Sequence, residues 1–222
     1  KRPLPEKGAD VFIRYNEALP IIKKVMGAET GESSTSESLS VELPNSKKFM
    51  SLVSSIGAFG LQSTFRGKDK QDTNDLKVYR NGGVGFLPKD ELTKEKDIVD
   101  KWKVFIPRAG SGSDSFPHSI LGKPFVGEPN SISSWTYMHI GPFASREETE
   151  NVVSYISSRL FRFLVLLHKP SQDATKSVYT FVPMQDFSQS WTDEKLYEKY
   201  QITASEIEFI NSMIRPMGEK NE

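Results

Sequence analysis

Apolar and polar positions alternate at helical spacing near the start of the chain and again in its last third. Residues 14–27 follow this spacing and stop at a glycine, and Pro20 predicts a kink or the start of a second helix. Residues 45–57 form another candidate helix that also ends at a glycine. Two further short helices are predicted to begin at Thr192 and Thr203.

The strongest helical pattern covers residues 145–169. Ser145 and Glu148 have the spacing of a capping box, in which each side chain satisfies a backbone amide at the start of the helix. Apolar residues then recur at helical spacing, and toward the end only Arg162 interrupts them, which predicts burial on nearly all sides. Pro170 ends the pattern because proline lacks the backbone donor that a helix needs.

The middle of the chain changes to the alternation of β-strands. Strands are predicted at residues 59–67, 76–80, 84–88, 102–108 and 133–141, and another at 177–183. The sequence Asn-Gly-Gly at residues 81–83 predicts a tight hairpin between two of them. We therefore predict an α+β fold, in which a curved, mostly antiparallel or mixed sheet packs against the long helix and short helices lie at both ends.

The chain divides into two predicted parts. Residues 1–57 form an N-terminal helical segment with a Ser-rich loop, residues 28–44, that carries four acidic residues and no basic one. Residues 58–222 form the main α+β domain. The first residue is not methionine, which predicts that the chain is a part of a larger protein.

Composition narrows the possible functions only a little. Lys+Arg and Asp+Glu total 29 each, and residues 61–110 are mildly basic, with 11 basic and 8 acidic side chains. There is no cysteine, which excludes disulfides and cysteine-ligated zinc and fits a cytoplasmic location. No apolar run is long enough to span a membrane, and the three histidines lack metal-site spacing.

The sequence contains no complete catalytic motif. The stretch at residues 109–115 lacks the last glycine of a dinucleotide loop and the lysine of a phosphate loop, so it is interpreted as a flexible loop. Asp75 and Lys77 match part of the carboxylate–lysine pattern of magnesium-dependent nucleases, which remains an alternative. His118 and His139 are interpreted as a loop histidine and a strand histidine rather than as catalytic bases.

The remaining candidates are basic and polar residues near predicted turns. Lysine and arginine can neutralise phosphates, whereas arginine and glutamine can read the edges of guanine and adenine. A solvated surface charge is the simpler interpretation of any single one, but the group favours nucleic acid. The candidate DNA-binding residues are Arg66, Lys68, Lys70, Tyr79, Arg80, Lys101, Lys103, Arg108, Ser111, Ser113, Lys169, Gln172 and Lys176.

Several stretches of the chain resemble one known family. They are similar to the carboxy-terminal part of Eco57I-type adenine-specific DNA methyltransferases of restriction–modification systems. The similar stretches are FIRYNEALPIIKKV (residues 12–25), AFGLQSTFRG (58–67), DKWKVFIPRAGSG (100–112) and, most specifically, residues 136–213. In that family this part is a target-recognition region, comparable in role with the specificity domains of TaqI-like methyltransferases.

The resemblance implies a division of labour within a longer parent protein. S-adenosylmethionine and the catalytic Asn-Pro-Pro-aromatic loop would belong to the methyltransferase catalytic domain, so this part would hold no cofactor or metal. Its expected partners are double-stranded DNA and that catalytic domain, with no membrane. Because some family members are fused to or partnered with a type II restriction endonuclease, the parent could also be labelled a restriction enzyme.

Two alternatives to DNA recognition remain at this stage. One is a magnesium-dependent restriction endonuclease domain that uses Asp75 and Lys77. The other is a protein-interaction module of a restriction–modification complex. Its docking element would be the tail from residue 181 onward, which has 8 acidic and 4 basic residues.

Overall fold

The computed structural model describes residues 13–31, 43, 45–110, 116–169 and 173–218, and it confirms the α+β class. The helices in these residues are α1 (Ala18–Thr30), α2 (Arg146–Ser157), α3 (Arg159–Leu166), α4 (Asp193–Lys199) and α5 (Ala204–Met213). The strands are β1 (Asp75–Arg80), β2 (Gly83–Pro88), β3 (Trp102–Pro107), β4 (Phe125–Gly127), β5 (Ser131–Ser133) and β6 (Tyr137–Phe143). Within the described ranges, no helix is both long and apolar enough to cross a membrane.

The strands form two three-stranded sheets where the sequence predicted one. The first sheet has the order β2-β1-β5, in which β1 pairs antiparallel with β2 and parallel with β5. The second has the order β4-β3-β6 and is antiparallel throughout. The predicted hairpin is confirmed, since Arg80 pairs with Gly83 across the turn. The mixed pairing agrees with the prediction, while the division into two sheets does not.

Two predicted strands are wrong. Residues 59–67 contain turns, and the amide of Phe65 donates to the carbonyl of Gln62 at 3.0 Å. Residues 177–183 begin within a 3₁₀ turn, Lys176–Tyr179, and four of their apolar side chains are buried: Val178, Tyr179, Phe181 and Val182. A short apolar run suits a buried strand and a buried turn equally well, so the apolar content misled the prediction.

The N-terminal helices differ from their predicted bounds. Helix α1 passes through Gly27 and ends at Gly31, whose left-handed backbone (φ 77°) closes the helix. Pro20 lies in its first turn, where the missing backbone donor costs little. Residues 45–57 form two 3₁₀ turns, Asn45–Lys47 and Phe49–Leu52, and no α-helix.

The predicted long helix is interrupted at Ser158. Its backbone is extended there (ψ 152°), and its hydroxyl accepts a hydrogen bond from the amide of Phe161, which starts α3 as a separate helix. At the other end, the Ser145 hydroxyl accepts from the amide of Glu148 as predicted, but the Glu148 carboxylate reaches Ala144 instead of Ser145. The helices after Thr192 and Thr203 are confirmed, the second with a complete capping box.

Two groups of buried apolar residues hold the fold together. The larger group joins α1, α2, α3 and α5 to one face of the β3–β6 sheet, with Ile22, Ile156 and Ile210 fully buried. The smaller group lies between the two sheets and includes Val78 and Phe105. Strand β3 contributes to both groups and so links them. The division of the chain at residue 57 stays a prediction.

Candidate nucleic-acid interface

Three strands end at one edge of the molecule. Because β5 runs parallel to β1, Ser133 lies beside Tyr79 at the ends of both strands. The next residues, 134–136, form a turn whose first amide donates to the carbonyl of Tyr79 at 2.9 Å. The last residue of that turn, Thr136, accepts from the amide of Arg108 at 2.9 Å, just after β3 ends. The chain therefore places Arg80 and Arg108 on either side of the 134–136 turn.

The described ends of the two loops that the sequence singled out, residues 109–110 of one and residues 169 and 173–176 of the other, meet beside this turn. Ala109 forms a β-bridge with Asp173, and the amide of Ala174 donates to the carbonyl of Arg108 at 2.8 Å. The Arg108 guanidinium lies 3.5 Å from the Asp173 carboxylate. The Lys169 ammonium lies 3.4 Å from the position that a Cβ on Gly110 would occupy.

The cations of this region can be treated as one surface. Lys176 is exposed and follows Ala174 by two residues. Ser111, Ser113 and Gln172 lie outside the described residues. Burial lowers the pKa of Lys169, and the charge of Asp173 opposes that effect. We use the name strand-end surface for the 134–136 turn together with Arg66, Arg80, Arg108, Lys169 and Lys176.

Arg66 and Arg80 lie close together, because both contact the same residue of the β1–β2 hairpin, Gly85. A Cβ on Gly85 would collide with the backbone carbonyl of Arg66 and would lie 3.0 Å from the Arg80 side-chain Nε. Only glycine allows so close an approach. Each guanidinium donates to a nearby backbone carbonyl, of Phe65 for Arg66 and of Asn81 for Arg80.

Three candidates lie away from the strand-end surface. Lys68 is held by two carboxylates, those of Asp72 and Asp75, each at 2.6 Å. Lys70 is exposed two residues further along the same loop. Lys101 precedes β3, whereas Arg108 follows it, so roughly 20 Å of extended chain separates them. One compact interface cannot be centred on both Lys101 and Arg108.

Tyr79 turns into the molecule instead of facing its surface. Its ring packs against Phe105 and Phe125, with ring centroids 5.3 and 4.9 Å away. Its hydroxyl donates to the Glu128 carboxylate at 2.8 Å, and the Lys77 ammonium donates to the same carboxylate at 2.7 Å. The half-buried Tyr79 therefore packs between the two sheets, and its role is structural rather than in base contact.

Lys103 corrects the sequence prediction most clearly, because it is fully buried and cannot reach a surface phosphate. Its ammonium lies 2.7–3.3 Å from four backbone carbonyls, which belong to Ile98, Val99, Lys101 and Glu128. Burial lowers the pKa of Lys103 to about 8, while the charges of nearby carboxylates oppose that shift. Lys103 thus holds together the loop before β3 and the loop before β5.

We expect Lys103→Met to lower the free energy of unfolding by about 2 kcal/mol, since the carbonyls lose a charged donor and the apolar stem is kept. Urea denaturation measures this loss. Lys101→Met makes the same substitution at an exposed position and should change stability by less than about 0.5 kcal/mol. Equal effects at the two positions would contradict a structural role for the four carbonyl contacts of Lys103.

The residues of the nuclease alternative are engaged in separate ion pairs. Asp75 is bound by Lys68, which with its hydrogen bond lowers the pKa of that carboxyl, and Lys77 is bound by Glu128. In the described part of the chain, no three His, Cys, Asp or Glu side chains are grouped so that they could hold a metal ion. The interpretation of His139 as a strand histidine is confirmed, since it lies buried in β6.

Sequence reasoning missed the element that brings the candidates together. Residues 134–136 were predicted to continue a strand, but they form a turn in which the Ser134 hydroxyl donates to the Thr136 hydroxyl at 3.1 Å. The Ser-Ser run at residues 133–134 was a usable signal, because serines favour turns. The pairing of Arg108 with Asp173 spans 65 residues and had no local signal.

Comparison with protein-family models, curated proteins and solved structures finds no match.

Proposed function

We propose that this chain is a double-stranded DNA-recognition module, without catalytic motifs of its own, of a restriction–modification adenine methyltransferase. The observation that carries the proposal is the strand-end surface. It gathers five of the candidate cations from three distant segments of the chain, next to the described ends of two polar loops at residues 109–110 and 173–176. The family resemblance supports DNA as the ligand and a separate, S-adenosylmethionine-dependent catalytic domain as the partner.

The charge of the surface suits a phosphate backbone. Its members Arg66, Arg80, Arg108, Lys169 and Lys176 contribute five positive charges, and the adjacent Asp173, which pairs with Arg108, contributes one negative charge. A net excess of this kind, on a chain whose total formal charge is zero, concentrates the attraction at one edge. Phosphate contacts of lysine and arginine supply most of the salt-dependent affinity of DNA-binding proteins.

The test is the fluorescence anisotropy of a labelled, randomised DNA duplex, titrated with the protein at about 50 mM and about 200 mM salt. We expect saturable binding that weakens steeply with salt. Arg108→Gln combined with Lys169→Gln should weaken binding at the lower salt by roughly tenfold and reduce the slope of log K against log salt by about 2.

The matched control is Lys101→Gln combined with Arg146→Gln. This variant removes the same charge, but both positions lie at the far ends of β3 and β6, away from the strand-end surface. It should bind almost as the wild type does. Absence of binding by the wild type at low salt, or equal weakening by both double variants, would overturn the proposal.

A further inference from the structure

The geometry points to the β1–β2 hairpin as the element that reads DNA sequence, entering the major groove with Arg66 and Arg80 directed at base edges. This inference rests on the proposed DNA-binding function and goes beyond it by assigning separate roles within the strand-end surface. The hairpin would recognise bases, while Arg108, Lys169 and Lys176 would hold phosphates. The two roles have different experimental signatures, since phosphate contacts carry no sequence information.

The hairpin has the shape that a major groove admits. Strand β5 pairs with β1 only as far as Tyr79, and Lys68 bridges to β2 at Phe86, so the end of the hairpin at residues 80–83 extends beyond both neighbours. At this tip, a Cβ on Gly83 would meet nothing within 4 Å, and Val84 beside it is 37% exposed. A narrow tip of two strands fits a groove about 12 Å wide, and an apolar side chain there can contact the methyl group of thymine.

Among the described residues, Arg66 and Arg80 have no acidic partner, which distinguishes them from three nearby cations. Lys68, Lys77 and Arg108 each pair with a carboxylate. Among the described residues, the hydrogen bonds of Arg66 and Arg80 go only to backbone carbonyls of their immediate neighbours. Both guanidinium groups therefore keep donors for a ligand, and the two-pronged donor pattern of arginine matches the O6 and N7 atoms of guanine.

The two parts of the surface are close enough to act on one DNA segment. Two backbone hydrogen bonds, each joining segments roughly 5 Å apart, and the short 134–136 turn connect Arg80 to Arg108. Their Cα atoms are thus within roughly 20 Å, which is less than one turn of the duplex at about 34 Å. Phosphate contacts at Arg108 would fix the register in which the hairpin enters the groove.

The experiment is selection of binding sites from a randomised duplex pool, followed by sequencing, for the full chain and five variants, one of which is the charge-neutral Gly85→Ala. Arg66→Gln, beside the hairpin, and Arg80→Gln, within it, are the two hairpin variants. Arg108→Gln alters the phosphate site, and Arg146→Gln removes the same charge at the opposite end of β3 and β6. Circular dichroism and urea denaturation establish that each variant is folded.

We expect the wild type to enrich a motif that contains guanine. Arg80→Gln or Arg66→Gln should reduce the preference for one guanine by at least about tenfold, with a shift toward adenine, because glutamine matches adenine. Arg108→Gln should weaken binding to all sequences alike and leave the motif unchanged, and Arg146→Gln should change neither. Gly85→Ala, which keeps every charge but displaces both arginines, should degrade the motif as well.

The possible failures are distinguishable. If the wild type binds the pool but enriches no motif, or if both hairpin variants enrich the wild-type motif, the assignment of base reading to the hairpin is wrong while DNA binding stands. If the hairpin variants weaken all sequences equally, the hairpin holds phosphates only. If the wild type does not bind the pool at all, the proposed function fails together with this inference.

Discussion

Replacing Arg162 with alanine should lower the free energy of unfolding by about 3–5 kcal/mol, because several backbone carbonyls lose a charged donor and a large buried side chain is removed. Arg162 is completely buried, and burial lowers its pKa to about 10, so the guanidinium remains charged at neutral pH. Since a charge in this position is tolerated only when its hydrogen bonds are satisfied, the partners of Arg162 determine the size of the effect.

All of those partners are backbone carbonyls at places where regular structure stops. Nε and Nη2 donate to Ser158 and Ser157 at 3.1 Å each, at the break between α2 and α3. Nη1 donates to the carbonyl of Ser119, in the segment before β4, at 3.3 Å and to that of Arg215, just after α5, at 2.7 Å. Alanine would leave one buried and three partly buried acceptors without this donor and would also open a cavity.

Urea denaturation at neutral pH measures the loss, with Arg146→Ala as the control. Arg146 lies exposed on α2 and pairs with Glu150, so its removal should cost less than about 1 kcal/mol. Arg162→Lys keeps the charge but has fewer donors and should fall between the two. A loss below about 1 kcal/mol for Arg162→Ala would mean that water or rearranged backbone replaces the guanidinium without cost.

Arg162 also shows where the sequence was informative about the fold and where it was not. The helical periodicity of residues 145–169 predicted one long helix with a buried apolar face, and the helix and its burial are present, although as two segments. It could not reveal the break, because the apolar spacing continues through Ser158, and the compensating donor is four residues further along. The lone arginine in an apolar run was the visible sign that buried carbonyls needed a partner.

The strands, too, could be predicted from the sequence only in part. The hairpin of β1 and β2 was predictable because an Asn-Gly-Gly turn and alternating side chains agree locally. Strands β4 and β5 have three residues each, too few for any periodicity to show. Residues 177–183 were mistaken for a strand because full burial and strand alternation both raise apolar content.

The candidate site was predictable as a list of residues but not as an arrangement. The sequence could name Arg108 and Lys169, since each stands beside a polar loop. It could not separate exposed cations from structural ones. Lys101 and Lys103 lie two residues apart in the same stretch of sequence, yet Lys101 is exposed and Lys103 is buried. Pairing of cations with acids also depends on long-range contacts, such as that between Lys77 and Glu128.

Acidification from pH 7 to pH 4.5 should destabilise the protein through His139 by about 2–3 kcal/mol. The imidazole is buried against Phe59, with ring centroids 5.0 Å apart, and its Nδ1 has no hydrogen-bond partner among the described residues. Burial, aided by the charge of Lys103 and opposed by that of Asp97, lowers the pKa of His139 to about 4.

The direction of this change in stability follows from the number of protons that the folded and unfolded states bind. Between the ordinary histidine pKa of about 6.5 and the folded value of about 4, the unfolded chain binds a proton that the folded protein excludes. Stability from His139 is therefore complete above the unfolded pKa and is lost as the pH falls through this window. At still lower pH both states are protonated and this contribution changes no further.

His139→Leu isolates the effect, because leucine fills the buried position without a titrating group and no hydrogen bond of the ring is lost. Urea denaturation of both proteins at pH 7 and pH 4.5 gives four free energies of unfolding. Carboxylates titrate in both proteins, so the difference between the two pH-dependent losses belongs to His139. The wild type should lose about 2–3 kcal/mol more than the variant, and parallel losses would show that His139 becomes protonated within the folded protein at little cost.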